Sequence, residues 1–265
     1  MSFSNKVVWI TGASSGIGEA LTDQFIKKGA RVIISSRREE VLTEVKNRYP
    51  DQQEQIKVLP LDLSDIGGLQ EKSQQAEQYY GKIDYLVNNG GISQRAAIKD
   101  MDIDVLDKVM KVNFMGSAAL TKYVLPGMIK RQSGHIIVIS SVMGKFGTQL
   151  RSGYAASKHA LHGFFDSLRN EVYKDNINVT IVCPGYIKTN VSKNALTANG
   201  SKYGKMDPGQ EHGLTPEECA VKILDAIRKK KNEVYIGGGK ERLALYLKRF
   251  FPGLLARIMR GMEVK

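Results

Sequence analysis

Apolar positions in this chain fall in short continuous runs separated by stretches of helical period. "KVVWIT" (6–11), "RVIIS" (31–35), "IKVLPL" (56–61), "IDYLVN" (83–88), "HIIVIS" (135–140), "NVTIVC" (178–183) and "EVYIG" (233–237) read as seven strands. They do not alternate with polar residues, as expected of strands buried on both faces. Between them the spacing predicts helices, notably over 103–131 and 153–173. The alternation predicts an α/β fold of Rossmann type, a doubly wound, seven-stranded parallel sheet with helices on both faces. No internal linker or low-complexity segment interrupts it, so residues 1–240 read as one domain and 241–265 as a short tail. Such sheets take ligands outside the carboxyl ends of their strands, beside the point where the strand order reverses.

The residues just after each strand are therefore the candidates. "TGASSGIG" (11–18) follows the first strand and opens a helix. Gly12, Gly16 and Gly18 allow a tight turn and close backbone approach, and the helix start, with Ile17, offers unpaired N–H groups to a pyrophosphate. Ser14, Ser15 and Thr11 can add hydroxyl donors. The second strand ends in "SSRREE" (35–40), where an NAD enzyme would place an acid on the adenosine ribose. Ser36 stands there instead, followed by Arg37 and Arg38, which suit the 2′-phosphate of NADP(H); a solvated helix start would explain Arg38 better than Arg37. Asp62, with Leu63 after it, can accept from an adenine amino group, and Asn89 with Gly90 and Gly91 can let backbone pass close to the adenosine.

The fifth strand ends in Ser140 and Ser141, and the sixth in "PGYIKT" (184–189). Pro184 and Gly185 force a sharp exit that frees the backbone of Ile187 and the hydroxyl of Thr189 for a carboxamide. Tyr154 and Lys158 in "YAASK" share one helix face at i and i+4. A lone pair of this spacing is ordinarily a solvated face, so the surrounding motifs decide its meaning. Asn113 lies in a mostly apolar helical stretch and needs partners, either as a residue that kinks the helix or as a site residue. His159, about 100° round the helix from Lys158, reads as surface or packing, and Cys183 as a buried strand residue.

Composition adds constraints. The chain has 265 residues, of which 42% are hydrophobic and 25% charged, an ordinary globular balance. No apolar run reaches the ~18 residues of a membrane span, no secretory leader is visible, and the two cysteines form no CxxC pair. These features predict a cytoplasmic protein without metal or disulfide. Of the net charge of +12, residues 222–265 carry +8, with twelve Lys/Arg against four Asp/Glu. No nucleic-acid module accompanies that charge.

"TGASSGIG", "NNGG", "KVNFMG", the Ser141-to-Tyr154 spacing, "YAASK" and "PG" together resemble the short-chain dehydrogenase/reductase family, in its compact single-domain branch, over roughly 5–240. The family usually has NNAG, and Gly90 here should loosen that loop slightly. Residues 184–207 look most like the dehydrogenase/reductase member seven-like subgroup, whose substrates are lipid-like carbonyls or alcohols. The resemblance implies an NADP(H)-dependent oxidoreductase with a catalytic set of Asn113, Ser141, Tyr154 and Lys158, and a substrate-covering loop at 188–214 that contains Tyr203, Met206 and His212. Tyr154 would be the acid/base, Ser141 would bind the substrate oxygen, Lys158 would hold the nicotinamide ribose, and Asn113 would hold a water leading to solvent. A lysine ammonium at ~4 Å favours phenolate by about 4 kcal/mol at an effective dielectric of 20, so Lys158 is expected to lower the Tyr154 pKa. The resemblance also implies a homodimer or homotetramer through 103–131 and 153–173. A non-catalytic NADP(H)-sensing protein of the same fold is the alternative, against which the complete catalytic set argues.

The tail carries its own pattern. Leu243, Leu247, Phe250, Leu254 and Ile258 form one apolar stripe, flanked by Lys248, Arg249, Arg257 and Arg260, and Pro252 with Gly253 should break it into two helices. Packing on its own domain or on a partner subunit is the ordinary role of such a stripe. With this many cations beside it, peripheral association with an anionic membrane through 241–262 is the other.

Overall fold

The computed structural model describes residues 2–261. Its seven strands form one parallel sheet in the order β3-β2-β1-β4-β5-β6-β7. They are β1 (Val7–Thr11), β2 (Arg31–Ser35), β3 (Ile56–Val58), β4 (Tyr85–Asn88), β5 (Gly134–Ile139), β6 (Ile177–Pro184) and β7 (Glu233–Ile236). All seven sequence-predicted strands are present. β3 is shorter than its apolar run because Pro60 brings no N–H to the ladder. The chain still follows β2, with Leu59 N–H on Ile34 O and Leu61 N–H on Ser36 O, each at 3.0 Å.

The helices are α1 (Gly16–Lys27), α2 (Glu39–Asn47), α3 (Leu69–Tyr80), α4 (Ile103–Met110), α5 (Gly116–Lys130), α6 (Ser152–Glu171), α7 (Pro208–Glu211), α8 (Pro216–Arg228), α9 (Gly239–Phe250) and α10 (Pro252–Gly261). Two apolar layers sandwich the sheet. Leu21 and Phe25 of α1, Leu42 of α2 and Ile223 of α8 cover one face; Leu69 of α3, Leu120 of α5 and Phe165 of α6 cover the other. Several polar groups caught between the layers are paired. Trp9 Nε1 donates to Ser35 Oγ at 2.8 Å, and the Asp84 carboxylate accepts from Val7 N–H at 2.8 Å. The strand order reverses between β1 and β4, which opens the crevice where the glycine turn lies.

The helix predicted over 103–131 runs from Ile103 to Lys130, with residues 111–115 widened into a π turn in which Gly116 N–H reaches back to Lys111 O. The wider turn carries Asn113. Immediately beyond it, α5 runs close beside Leu63: a Cβ on Gly116 would lie 2.5 Å from Leu63 O and 2.8 Å from Leu63 Cβ. The tail breaks where Pro252 predicts, between α9 and α10.

Gly116→Ala forces the helix away from a backbone carbonyl that cannot yield. Chemical denaturation should show a loss of about 1–3 kcal/mol, as for overpacked cores.

Candidate active site

β1 ends in a turn shaped by glycines in the left-handed region, Gly12 at φ 66° and Gly16 at φ 59°. Gly18 lies one turn further, where a Cβ would sit 2.3 Å from Gly12 O, so only glycine lets α1 start this close to the strand. Ser15 caps α1 without a side-chain hydrogen bond, which leaves the first-turn N–H groups facing the crevice, and Ser14 and Ser15 have no side-chain partner among the described residues. Ile17 packs its side chain on the core beneath. Thr189, from the far side of the crevice, places its methyl where a Gly16 Cβ would be at 3.0 Å. The two ends of the predicted cofactor site thus meet.

Other candidates turn out to brace that turn. The Thr11 hydroxyl is not available as a phosphate donor: it is buried, accepts from Asn89 N–H (3.1 Å) and Gly90 N–H (3.0 Å), and donates to Val87 O. The Asn89 amide donates to Thr11 O at 2.9 Å and Gly12 O at 3.2 Å, tying β4 to the glycine turn. Leu63 is buried packing, with Cδ1 in the space a Gly90 Cβ would need, 2.5 Å away. Gly90 therefore makes room for Leu63, whereas the sequence suggested only a looser loop. Asp62 Oδ1 accepts from Ser64 N–H (2.8 Å) and Ser64 Oγ (2.7 Å). Burial pushes the Asp62 carboxyl up, but the Ser64 bonds and the nearby Arg37 outweigh it and hold the pKa low. Arg37 and Arg38 are exposed, with no acidic partner among the described residues.

At the sixth strand, Pro184 and Gly185 are held by the fold: Pro184 O accepts from Ser141 Oγ at 3.4 Å, and Gly185 N–H donates to Ile236 O at 2.8 Å. Ile187 sits in a bridge with Leu214 whose hydrogen bonds come from Leu214 and Lys188, so its own N–H stays out of the ladder.

The catalytic candidates converge where β5 meets α6. Asn113 is buried and fully engaged: Oδ1 accepts from Ile92 N–H at 2.8 Å, and Nδ2 donates to Ile92 O and to Ser157 Oγ, both at 2.9 Å. Both hydrogens of its amide are committed, so the side chain ties the loop after β4 to α6. Ser157 passes the constraint on by donating to Tyr154 O at 2.8 Å. Gly91 packs between, where a Cβ would be 3.1 Å from Asn113 Oδ1 and 3.6 Å from Lys158 Nζ. Lys158 is buried and donates to Ile139 O at 2.8 Å. Ser141 Oγ accepts from Met143 N–H at 3.1 Å and hydrogen-bonds the Tyr154 hydroxyl.

The expected electrostatics need correction. Lys158 Nζ lies 5.7 Å from the centroid of the Tyr154 ring and points to the Ile139 carbonyl. Burial raises the Tyr154 pKa above its ordinary 10, opposed by the Ser141 hydrogen bond and by Arg151, not by Lys158. Burial in turn lowers Lys158 from 10.5 to about 8.

Sequence reasoning missed Arg151 and its partners. The Asp207 carboxylate bridges Arg95 and Arg151, and Arg95 stacks over Tyr203 with its guanidinium carbon 5.6 Å from the ring centroid. The cluster pins the loop 188–214 to the start of α6. No local pattern announces it, because its members are 56 and 112 residues apart. In that loop Met206 lies beside Ser192, and His212 is exposed with Nδ1 on Pro208 O. His159 is exposed, as its helical phase predicted. Cys183 is buried beside His162, which in turn faces Glu233; Lys145 Nζ already occupies that carboxylate at 2.8 Å. Cys183, His162 and the half-buried Glu233 form a polar chain between β6, α6 and β7.

A glycine turn at a helix start, a reversed strand order and a Tyr–Lys pair beside it define a dinucleotide-binding oxidoreductase fold. Residues 6–200 match the short chain dehydrogenase family, and the chain belongs to it. It is 46% identical over 269 residues to the dehydrogenase/reductase SDR family protein 7-like of Drosophila melanogaster, spanning 98% of this chain and 81% of that protein. With dehydrogenase/reductase SDR family member 7B of Bos taurus it shares 44% over 261 residues, 96% and 80% of the two chains. Among solved structures, a short-chain dehydrogenase from Streptomyces avermitilis superposes with TM-score 0.82 at 29% identity, over 98% of this chain and all (100%) of that one. The closed form of a serine dehydrogenase complexed with NADP+ does so with TM-score 0.78 at 27% identity, over 88% and 94%.

The depressed Lys158 pKa has a measurable consequence. Between about pH 8 and 10.5 the unfolded chain holds a proton that folded Lys158 has released, so this group makes stability rise with pH across that window. Lys158→Met removes that contribution. Relative to the natural protein, the variant's unfolding free energy should fall by about 1–2 kcal/mol between pH 8 and pH 10. Parallel urea titrations at the two pH values measure the difference.

Proposed function

We propose that this chain is an NADP(H)-dependent oxidoreductase that moves a hydride between nicotinamide and a carbonyl or secondary alcohol on an apolar, lipid-like substrate. The observation that carries the reading is the arrangement of Ser141, Tyr154 and Lys158, held by Asn113, next to a glycine turn at an open helix start. The residues present fit a dinucleotide. Backbone N–H groups of the Gly16–Gly18 segment would face a pyrophosphate, Ile187 N–H and the Thr189 hydroxyl a carboxamide, and Lys158 the ribose hydroxyls.

When bound, the nicotinamide supplies or accepts the hydride. The chain's own residues manage the proton and the developing charge. Burial keeps the Tyr154 hydroxyl protonated at neutral pH, the state a general acid requires. In the reducing direction Tyr154 gives that proton to the substrate oxygen, while Ser141 donates a hydrogen bond to the same oxygen as negative charge builds. In the oxidising direction Tyr154 takes the proton back.

Preference for the phosphorylated cofactor rests on the end of β2. No acid stands there to repel a 2′-phosphate, and the exposed guanidinium groups of Arg37 and Arg38 are within its neighbourhood. The reading includes a homodimer or homotetramer, in which a second copy would cover the exposed Ile103 of α4 and Met115 of the π turn. It places the enzyme in the reducing cytoplasm, supported by two free, buried thiols. Among the described residues no helix is long and apolar enough to cross a membrane.

Tyr154→Phe keeps the ring and removes the proton. With ketones, quinones, retinoids and steroids as substrates, NADPH consumption followed by nicotinamide absorbance should drop about 10²–10⁴-fold while NADPH still binds. Near-normal turnover in the folded variant overturns the mechanism.

NADPH should bind about ten- to a hundred-fold more tightly than NADH, from one or two charge-assisted hydrogen bonds to the 2′-phosphate. Arg37→Ala should remove most of that preference and Arg38→Ala less, as read by fluorescence titration. Equal affinities in the natural protein overturn the assignment.

A further inference from the structure

The tail has two apolar faces where the sequence shows one stripe. Ala244, Leu245 and Leu247 of α9, with Leu255 and Met259 of α10, pack inward with Val142, Met143, Phe146 and Ala155, a cluster that Tyr154 also packs against. Leu247, which the sequence places in the same stripe as Leu243 and Phe250, belongs to this inner face. The tail therefore packs beside the candidate active site, and Glu241 anchors it with a carboxylate oxygen 3.4 Å from Tyr186 N–H.

The outer face is left bare. Leu243 is 57% exposed, Tyr246 55%, Phe250 61%, Phe251 52%, Leu254 47% and Ile258 42%. These side chains form a connected surface: the Tyr246 ring lies 4.8 Å from Phe250 and 6.3 Å from Phe251. At 100° per residue, Arg249 flanks this face on α9 and Arg257 flanks it on α10, while Arg260 and Lys248 lie towards the opposite side. All four cations are exposed and lack an ion-pair partner among the described residues, and from Arg242 to Gly261 the sequence has no acid.

We infer that the outer face of α9 and α10 docks the protein on an anionic lipid surface, lying in the interface plane with its apolar side chains in the acyl boundary. Charge selects this occupant over a second copy of the chain. A two-fold contact through the same face would bring two sets of these cations together with no acid among them. Anionic headgroups complement the cations, and the aromatic and aliphatic side chains match the depth of the headgroup boundary. The inner face of the same two helices packs on the apolar cluster that Tyr154 also packs against, so docking sets that side of the site towards the lipid. The inference concerns binding and stands whether or not the proposed reaction is right.

Vesicle flotation of the full chain tests it, with vesicles of phosphatidylcholine alone or with about a third phosphatidylserine. The protein should float with the anionic vesicles at low salt, and release as salt screens the headgroups. A Phe250→Ser, Leu254→Ser, Ile258→Ser variant should stay in the bottom fraction. A Lys248→Gln, Arg249→Gln, Arg257→Gln, Arg260→Gln variant should bind at least about a hundred-fold more weakly. These side chains are exposed, so both variants should melt with the natural protein, which separates lost docking from lost folding. The inference fails if the natural protein does not float, or if both variants float as it does, since the remaining surface cations then suffice. It also fails if light scattering shows that the triple-serine variant converts an oligomer to a smaller species, because the face is then a subunit interface.

Discussion

One buried amide holds the candidate site in register. Asn113 closes a reciprocal pair of hydrogen bonds with the backbone of Ile92 and gives its remaining hydrogen to Ser157, one helical turn from Tyr154. The π turn that carries it widens the helix just where that side chain must reach the loop after β4. A regular α-helical turn would point residue 113 elsewhere, and neither the loop nor α6 would have a shared reference. A π turn inside an α-helix is rare and recurs at functional sites for this kind of reason. The amide does its work without touching a reacting atom.

The second constraint is charge kept out of water. Lys158 is buried with only a carbonyl for company, and burial has already moved its pKa to about 8. Close by, one carboxylate, Asp207, serves two guanidinium groups. Such groups are costly to bury and are expected where function demands them. They also explain why Tyr154 does not titrate as its neighbour in sequence suggests. In the interior the dominant influence is lost hydration, and the positive charge that opposes it comes from Arg151.

The tail shows how one segment can answer to two surfaces. Its inner side chains complete the apolar wall beside Val142 and Met143, while its outer side chains and cations face away from the protein. Pro252 makes this possible by letting α10 start in a new direction, so that Leu255 turns in as Leu254 stays out.

The sequence by itself determined the sheet, the glycine turn, the Tyr154–Lys158 face and the break at Pro252. Each of these rests on local physics: strands buried on both faces read as continuously apolar, turns of positive φ favour glycine, a helix repeats every 3.6 residues, and proline has no N–H to give a ladder or a helix. What only the tertiary structure decided are the relations between distant residues. The Thr11 hydroxyl could be read as a phosphate donor until the fold set it against the backbone of Asn89 and Gly90. Gly90 looked like a loosened loop until Leu63 was seen to fill its space. Arg95, Arg151 and Asp207 carry no local signature, and Leu247 left the outer stripe because α9 met the wall beside Tyr154 at a particular angle. Periodicity fixes which residues share a face; only packing decides what that face meets and how much water remains there.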